Sequence, residues 1–403
     1  MCSGMVIWII NPFDDIPGEG KAQRYNTLAR VLAEKGNEVV WWSSDFSHRR
    51  KVKREMPNFE MPFEFRLVST PSYHSNVGLR RIRNHWSFGR NLIKDACRGI
   101  QSGRLKKPDV VFASMPPMEG AIAALRLREL YGCRVVTDIM DMWPNTLLQA
   151  LPSSLAPLGN ILLRPYRKML RRACAESDAI SAQSHAFASF AIENGASSSV
   201  YVCYLGADPS EGALRIADSE HDLLRLIYIG AMGRCYDLET IIEALCLLKK
   251  HGIGVECVFV GDGDKRSKLE MKNAQGVRFT GFLGPEDLSA ELKSADLALV
   301  PLFSESGVAV PYKVGDYLAH GLPLLSTIDG ELGDLIREYT CGAIYPAGDP
   351  QGLADVVRLY AQDSDRLKKE KFQAQRLFEA AFNRDKTYQE IANWLEGQAH
   401  LKV

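Results

Sequence analysis

The sequence lacks any apolar run near the roughly 20 residues that a membrane-spanning helix needs. Its nine cysteines are scattered, with no Cys-x-x-Cys pair among the 403 residues. This pattern is typical of reduced thiols, and it disfavours a disulfide scaffold or a zinc–cysteine site. The first 15 residues have neither a basic region nor a long apolar core, so we expect no secretory signal. These absences together favour a cytoplasmic protein.

A net charge is also missing, since 49 Lys and Arg balance 49 Asp and Glu. The zero conceals an asymmetry, because residues 1–190 carry a net charge of +10 and the remainder carries −10. A uniformly basic nucleic-acid binder is therefore disfavoured, and we expect no nucleic-acid partner. The composition, 46% hydrophobic and 24% charged, is that of a foldable chain. Its length predicts two to three domains.

Short Val- and Ile-rich runs alternate with helical segments along the chain. The first series of runs covers residues 5–10, 38–44, 108–114, 134–140 and 177–184. A second series covers 224–233, 254–263, 276–283, 295–302, 322–327 and 342–346. Continuous apolar runs suit strands that are covered on both faces, as in a parallel sheet. We therefore predict an α/β fold with two doubly wound, Rossmann-like domains facing each other across a cleft.

The domain boundaries follow from the same pattern. We predict an N-terminal domain over residues 1–208, a polar linker over 209–223 and a second domain over 224–380. Residues 366–397 are amphipathic and predict a helix, and the segment 381–403 is expected to pack back on the first domain.

A Gly-x-Gly pair, Gly18 and Gly20, follows the first predicted strand. Glycines there allow the backbone to approach an anion at a helix N-terminus, although an ordinary strand–helix turn has the same composition. The third glycine of the dinucleotide fingerprint is missing, and no acidic residue ends the second strand. A dehydrogenase is therefore disfavoured.

Glycines also end two strands of the second series. Gly230 and Gly233 precede Arg234, while Gly261 and Gly263 precede Lys265 and Arg266. These turns belong at the carboxyl ends of parallel strands, where ligands collect. Together with Arg234 and Lys265 or Arg266 they predict a diphosphate site. The alternative is that these cations lie on a solvated helix face.

The segment 301–323 contains a loop with Gly307, followed by a predicted helix that carries Lys313 and Asp316. Backbone N–H groups at such a helix start can bind phosphate, and a carboxylate one turn later can accept hydrogen bonds from ribose hydroxyls. The segment therefore predicts a nucleotide site.

At this point the chain resembles glycosyltransferase family 4, whose members have the GT-B fold and retaining chemistry. The resemblance covers nearly the whole chain and rests on the order and spacing of YIGAMG, VGDGDKRSKLE, VRFTGFL, ADLALVPL and the segment from Lys313 to Pro323. It is strongest to bacterial members that assemble O-antigen, capsule or exopolysaccharide. Those carry a D-x-W-P segment, here Asp141–Pro144, and a Tyr-Asn-Arg stretch, here Tyr73, Asn76, Arg80, Arg81 and Arg83.

The chain departs from the family pattern at several positions. The Glu-x7-Glu motif would place glutamates at 308 and 316, where this sequence has Val308 and Asp316. Glu305 is the nearby substitute. The phosphate-binding arginine and lysine would fall at Ala231 and Tyr236, so we assign that role to Arg234 and Lys313. The family's histidine beside the sugar has no clear equivalent, and Asp138 or Asp141 is expected there.

The resemblance, with the motifs above, implies the following site. Catalytic roles fall to Glu305, Asp141 and Lys313. Acceptor contacts fall to Tyr73, Asn76, Arg81 and Trp143, although Trp143-Pro144 also suits a packed loop corner. Donor contacts fall to Gly18, Gly20, Gly230, Arg234, Gly261, Gly263, Lys265, Phe282, Gly307, Val308, Lys313 and Asp316. No metal and no cofactor is expected, since the sugar nucleotide is a substrate.

Three basic clusters, at residues 48–54, 80–83 and 164–172, predict peripheral contact with an anionic membrane on the inner face of the plasma membrane. The expected reaction is transfer of a sugar from a nucleoside diphosphate sugar, UDP first and GDP next, to a polyprenyl-diphosphate-linked saccharide. Two alternatives stay open. One is another GT-B enzyme, such as a sugar-nucleotide epimerase or an inverting transferase, and the other is a catalytically silent sugar-nucleotide-binding protein.

Overall fold

The computed structural model describes residues 4–20, 23–75, 78–146, 156–197, 199–210, 223–272, 274–303 and 307–400. The chain divides into two compact units. The first unit comprises Met1–Tyr204 and Tyr388–Val403, and the second comprises Leu205–Thr387. Most of the predicted linker, residues 209–223, lies outside the described residues.

The first unit is built on a parallel sheet of seven strands in the order β3-β2-β1-β4-β5-β6-β7. The strands are β1 (Val6–Ile10), β2 (Glu38–Ser44), β3 (Glu64–Val68), β4 (Val110–Met115), β5 (Arg134–Ile139), β6 (Ala179–Ala182) and β7 (Val200–Val202). The helices are α1 (Arg24–Glu34), α2 (Leu79–Gln101), α3 (Met118–Tyr131), α4 (Ala156–Leu162), α5 (Arg164–Glu176) and α6 (His185–Glu193). The strand order is that of a doubly wound sheet.

Alternation along β1 explains why this sheet is covered on both faces. Ile7 and Ile9 pack in one core with residues of α1, whereas Trp8 and Ile10 pack in another with residues of α2. Successive strand side chains point to opposite faces, so a strand that is apolar at every position needs a helical layer on each side. The continuous apolar runs in the sequence thus become central parallel strands, as predicted.

The second unit repeats the architecture with a parallel sheet of six strands in the order β10-β9-β8-β11-β12-β13. The strands are β8 (Leu224–Ile229), β9 (Val255–Val260), β10 (Val277–Gly281), β11 (Leu297–Val300), β12 (Leu324–Ser326) and β13 (Gly342–Ile344). The helices are α7 (Leu238–Lys250), α8 (Arg266–Glu270), α9 (Pro285–Ser294), α10 (Lys313–Ala319), α11 (Glu331–Tyr339), α12 (Pro350–Gln362) and α13 (Ser364–Leu377).

The C-terminal segment is not the single helix predicted over residues 366–397. Helix α13 ends at Leu377, a π-helical turn spans Phe378–Phe382, and α14 (Arg384–His400) begins after Asn383. From Tyr388 onward α14 belongs to the first unit, where Tyr388, Ile391 and Leu395 are buried in the core that contains Ile7 and Ile9. The sequence analysis also missed β3, β7, α2 and α11.

Candidate functional site

The carboxyl ends of β8 and β9 carry two loops that pack backbone against backbone. Gly230, Gly261 and Gly263 all have positive φ angles, of 136°, 121° and 157°. A Cβ at Gly261 would overlap the carbonyl oxygen of Gly230, and a Cβ at Gly263 would lie 2.7 Å from backbone atoms of Met232. The amide of Met232 donates to the carbonyl of Asp262 across this contact. These glycines are therefore required for the approach of the two loops.

The side chain of Lys313 enters the space beside Gly230. Its ammonium lies 4.1 Å from the ring centroid of Tyr228 and 4.4 Å from that of Tyr236. Lys313 is only 9% exposed, and its Nζ has no hydrogen-bond partner among the described residues. A Cβ at Gly230 would lie 3.0 Å from that Nζ, so the glycine and the ammonium are closely packed. Burial lowers the pKa of Lys313 to about 7.

The other cations predicted for the diphosphate are placed differently. Lys265 donates from Nζ to the carbonyl of Tyr236 at 2.7 Å and to Glu239 at 2.8 Å, so its charge is already paired. Arg266 pairs with Glu270 at 2.8 Å. Lys265 is therefore engaged in an ion pair within the unit, which the sequence analysis did not foresee. Arg234 is exposed on the loop after β8.

Helix α10, which begins at Lys313, has only seven residues. The amides of Val314 and Gly315 already donate to the carbonyls of Pro311 and Tyr312. The predicted phosphate contact through the free N–H groups of this helix is thus wrong for these two amides. Asp316, half-buried, lies one turn beyond Lys313.

Three further donor-site predictions lie on loops of the second unit. Gly307 has a φ of 66°, Val308 is 39% exposed and Phe282 is 84% exposed. Glu305 lies outside the described residues. The structure gives no polar contact that would assign these positions a role, and their roles stay predictions.

The glycine pair of the first unit does not stand at a helix start. Helix α1 begins at Arg24, and the amide of Tyr25 in its first turn donates to the carboxylate of Asp14 at 2.9 Å. An internal carboxylate therefore occupies the place where Gly18 and Gly20 were expected to admit an anion. Burial raises the pKa of Asp14 to about 7.

The two candidate aspartates, Asp138 within β5 and Asp141 just after it, differ in their surroundings. Asp138 is fully buried and accepts two hydrogen bonds from Arg24, at 2.8 and 3.1 Å. Tyr25 and Ser181 each donate a further hydrogen bond to it at 2.6 Å. Because all of these partners lie inside the fold, the carboxylate of Asp138 has a structural role in the core. Asp141 is half-buried, and burial raises the pKa of its carboxyl group.

The predicted acceptor residues meet in the first unit. The guanidinium of Arg81 lies 4.6 Å from the ring centroid of Trp143, and its Nε donates to Nε2 of His85 at 3.3 Å. Tyr73 is 1% exposed and its hydroxyl is bonded to Nδ1 of His48. Asn76 lies outside the described residues.

Sequence reasoning missed both histidines of this group as functional candidates. His48 is half-buried and His85 is buried, and their pKa values are lowered to about 4 and about 3, chiefly by removal from water and then by Arg81. His48 follows β2 at the edge where ligands collect, which is a signal that the sequence offered. His85 offered none, because α2 was not predicted.

Two further findings concern the part of the chain that the structure describes. No group of three or more His, Cys, Asp or Glu side chains there is arranged to hold a metal ion. None of the helices there is both long and apolar enough to cross a membrane.

Both halves of the chain match glycosyltransferase family models. Residues 20–211 match the model described as Glycosyltransferase Family 4, and residues 224–363 match the model described as Glycosyl transferases group 1. The two matches follow each other along the chain without overlap. They confirm the family resemblance found in the sequence.

The names of two relatives agree with this assignment. The amylovoran biosynthesis glycosyltransferase AmsK of Erwinia amylovora is 27% identical over 205 residues, and this match spans 49% of the present chain and only 50% of AmsK. WcaL of Escherichia coli K12, named for colanic acid biosynthesis, is 24% identical over 327 residues, or 78% of this chain and 77% of WcaL.

Solved structures show the same fold. HepE of Anabaena in complex with UDP-glucose superposes with a TM-score of 0.62 at 15% identity, covering 98% of this chain and 100% of HepE. WaaG, a glycosyltransferase involved in lipopolysaccharide biosynthesis, gives a TM-score of 0.63 at 15% identity, with 97% and 100% covered. The fold is thus the GT-B fold, as predicted. With both of its units matched by glycosyltransferase models, the chain is a glycosyltransferase, and residues 20–211 match the model of family 4.

Proposed function

We propose that this protein transfers a sugar from a nucleoside diphosphate sugar, a UDP-sugar first, to a lipid-linked saccharide during assembly of a bacterial surface polysaccharide. The second unit would bind the donor and the first unit the acceptor. The relatives AmsK and WcaL are named for exopolysaccharide synthesis, and HepE binds UDP-glucose. These names support the proposal but do not identify the sugar.

The observation that carries the proposal is the buried ammonium of Lys313. An unpaired cation is costly to bury, and proteins normally pair or neutralise it. Lys313 is instead held beside Gly230, against two tyrosine rings. A diphosphate bound at the glycine loops would supply the missing negative charge. Asp316, one turn along α10, would accept hydrogen bonds from the ribose hydroxyls.

Lys313 would also act in the chemical step. When the bond between the anomeric carbon and the diphosphate oxygen breaks, negative charge develops on that oxygen. A cation already fixed beside the diphosphate stabilises this charge without reorganisation. For a retaining reaction, the departing phosphate oxygen would take the proton of the acceptor hydroxyl on the same face of the sugar. We propose that no metal and no cofactor takes part.

The half-buried Asp141 would contribute to the acceptor site. It follows β5 in the D-x-W-P segment, and Arg81 lowers its pKa against the larger effect of burial. Its carboxylate would accept a hydrogen bond from an acceptor hydroxyl and orient the sugar. Trp143, next but one in the sequence, would offer an apolar ring face to that sugar.

We further propose that the protein is cytoplasmic and contacts the inner face of the plasma membrane. The basic cluster 48–54 cannot be the main contact, because Arg49, Arg50, Lys53 and Arg54 pair with Asp15, Glu19, Asp45 and Glu19. On α2, in contrast, Leu79, Ile82 and Trp86 are 83%, 42% and 56% exposed. Exposed Arg80, Arg83 and Arg90 flank this stripe.

Helices α4 and α5 also combine exposed apolar side chains with nearby basic ones. Leu158, Ile161 and Leu162 are 55%, 55% and 67% exposed. They precede a groove lined by Arg164, Arg167, Lys168 and Arg171. Trp143 links the beginnings of α2 and α5, since it contacts Arg81 on one side and Tyr166, at 6.2 Å between ring centroids, on the other. Exposed apolar side chains with arginines beside them are typical of a surface that binds an anionic bilayer.

The catalytic proposal is tested by nucleotide release. Purified protein is incubated with UDP-, GDP- and dTDP-sugars and a bacterial lipid extract, and free nucleotide is measured with and without the lipid. We expect lipid-dependent release from one nucleotide class. Lys313→Met should lower kcat more than it raises KM, because the ammonium acts most strongly in the transition state.

The matched control is Lys369→Met, since Lys369 is an exposed lysine on α13 of the same unit. It should leave kcat and KM unchanged. Sugar nucleotides that bind without any lipid-dependent release would contradict the transferase proposal. A wild-type kcat in Lys313→Met would show that Lys313 does not take part in the reaction.

A further inference from the structure

A compact group of aromatic and basic side chains lies at the carboxyl ends of β1, β2, β3 and β5, all within the first unit. We call it the His48 cluster, and its members are Phe13, His48, Lys51, Tyr73, Arg81, His85 and Trp143. Five separate segments contribute to it, namely four loops and the first turns of α2. Ligands of open α/β sheets collect at this edge.

The rings form the walls of the cluster. The ring of Phe13 lies 5.2 Å from that of His48 and 5.5 Å from that of His85, measured between centroids. His85 lies 5.7 Å from Trp143. The ammonium of Lys51 lies 4.7 Å from the ring centroid of Tyr73 and 3.4 Å from Nδ1 of His48. Two cations, Lys51 and Arg81, therefore face a largely aromatic enclosure.

The basic groups of this enclosure act on one another. Burial lowers the pKa of His48 most, and Arg81 and Lys51 lower it further. Burial and then Arg81 lower the pKa of Lys51. Tyr73, Asp141 and Tyr166 act on Arg81 in the opposite direction, against the larger effect of burial. Basic groups that lower one another's pKa in this way favour an anionic ligand.

Two local features indicate that the cluster is built for a ligand. Lys51 has a φ of 58°, a left-handed conformation that a non-glycine residue adopts at a cost and that is enriched at functional sites. His85 is 1% exposed, and its Nδ1 has no partner among the described residues. Because its Nε2 accepts from Arg81, the ring proton belongs on Nδ1. The buried ring thus presents an unsatisfied N–H donor.

We propose that the His48 cluster binds a diphosphate ester through Lys51 and Arg81, with the His48–Tyr73 pair beside them. This inference rests on the proposed function, since the ester would be that of the lipid-linked acceptor. Phosphate oxygens would accept hydrogen bonds from the ammonium and the guanidinium. The rings of Phe13 and Trp143 would cover the groups on either side of the diphosphate. The site lies wholly within the first unit and is separate from Lys313.

Binding of short-chain probes, with farnesol added in a mild detergent, tests the site directly. Farnesyl diphosphate, inorganic pyrophosphate and farnesol are titrated against the full-length protein by calorimetry. We expect farnesyl diphosphate to bind, and Lys51→Met and Arg81→Gln each to weaken it roughly tenfold or more, as expected for a lost hydrogen bond to a charged group. Lys106→Met and Arg126→Gln are the matched controls, because both side chains are exposed and lie outside the cluster. They should bind as the wild type does.

The imidazole of His48 gives a second readout that a merely structural role would not move. Its pKa, about 4 in the free protein, should rise when a bound anion neutralises Lys51 and Arg81. NMR titration of the histidine side chains measures this shift directly. Thermal unfolding of each variant shows whether it is folded at the temperature of the titration.

Three outcomes would overturn the inference. The first is equal binding by the cluster variants and the two controls, and the second is binding that leaves the pKa of His48 unchanged. The third is pyrophosphate binding as tightly as farnesyl diphosphate through Lys51 and Arg81, which would assign the cluster to the free anion. Affinity for a UDP-sugar, measured on the same samples, separates this inference from the proposed donor site. It should be lost in Lys313→Met and kept in Lys51→Met.

Discussion

The ammonium of Lys313 lies 4.4 Å from the ring centroid of Tyr236. Family resemblance implies a phosphate-binding lysine at position 236, where this chain has tyrosine. Lys313 comes from a different element, the start of α10, yet its charge lies against the residue that replaces the expected lysine. A lysine from a different position in the sequence thus places its ammonium beside the loop that follows β8.

Lys313→Met should stabilise the ligand-free protein while it lowers kcat. Methionine fills the same volume without a buried, unpaired charge, so the free energy of unfolding should rise by roughly 1–4 kcal/mol at pH 7. Urea unfolding of the wild type, Lys313→Met and Lys369→Met measures this difference. Equal stability of all three would show that the ammonium is solvated and the cavity open.

Donor binding should weaken at alkaline pH. The pKa of Lys313 is about 7 in the free protein, so above that pH the side chain is mostly neutral and must take up a proton to pair with a diphosphate. A UDP-sugar does not titrate in this range, so proton uptake measured by calorimetry in buffers of different ionisation enthalpy reports on the protein. We expect uptake near one proton at pH 8.5 and much less at pH 6. In Lys313→Met the uptake at pH 8.5 should disappear.

Asp316→Ala should weaken binding of the donor nucleotide. If its carboxylate holds the ribose hydroxyls, the loss costs about 1–3 kcal/mol, the scale of a hydrogen bond to a charged group. Calorimetry with UDP and with 2′,3′-dideoxy-UDP forms a double-mutant cycle. The variant and the deoxygenated ligand should each lose affinity, and together lose little more than either alone. Unchanged UDP affinity in the folded variant would remove Asp316 from the ribose site.

Asp138→Asn and Asp141→Asn should have opposite effects. Asp138→Asn leaves the buried guanidinium of Arg24 without its counter-charge, and the free energy of unfolding should fall by about 3–5 kcal/mol. Asp141→Asn should leave stability nearly unchanged and lower kcat, since the half-buried Asp141 has no such ion pair. Chemical unfolding and lipid-dependent nucleotide release, measured on both variants, distinguish a core carboxylate from an acceptor-site carboxylate.

Membrane binding should depend on the arginines of α2 and not on those of residues 49–53. Changing Arg80, Arg83 and Arg90 to glutamine should weaken binding to vesicles of anionic phospholipid, with each cation near the surface contributing about 1 kcal/mol. The matched control neutralises Arg49, Arg50 and Lys53, which removes the same charge from groups that are already paired. Vesicle sedimentation at low and high salt measures both. Equal loss in the two triple variants would point to net charge alone.

Much of the fold could be predicted because the apolar runs are local signals. Strands such as β1, β4 and β11 are buried along their whole length, and so they stand out as unbroken apolar segments. Helix α2 could not be recognised in this way. Its buried positions, which include Phe88, Leu92 and Ala96, are outnumbered by exposed and basic ones. The arginines were interpreted as a charge cluster, although the i, i+4 spacing of those three residues was available.

The sequence by itself determined the two parallel sheets, the glycines at the ends of β8 and β9, and the family. These depend on patterns a few residues long, repeated along the chain. Only the tertiary structure decided which charged groups are paired within the fold and which are held ready for a ligand. Lys265 and Asp138 had seemed candidates for the site, but Glu239 and Arg24, distant in sequence, neutralise them. Lys313 is buried against two tyrosine rings with no hydrogen-bond partner among the described residues, and the His48 cluster brings together segments that are distant along the chain.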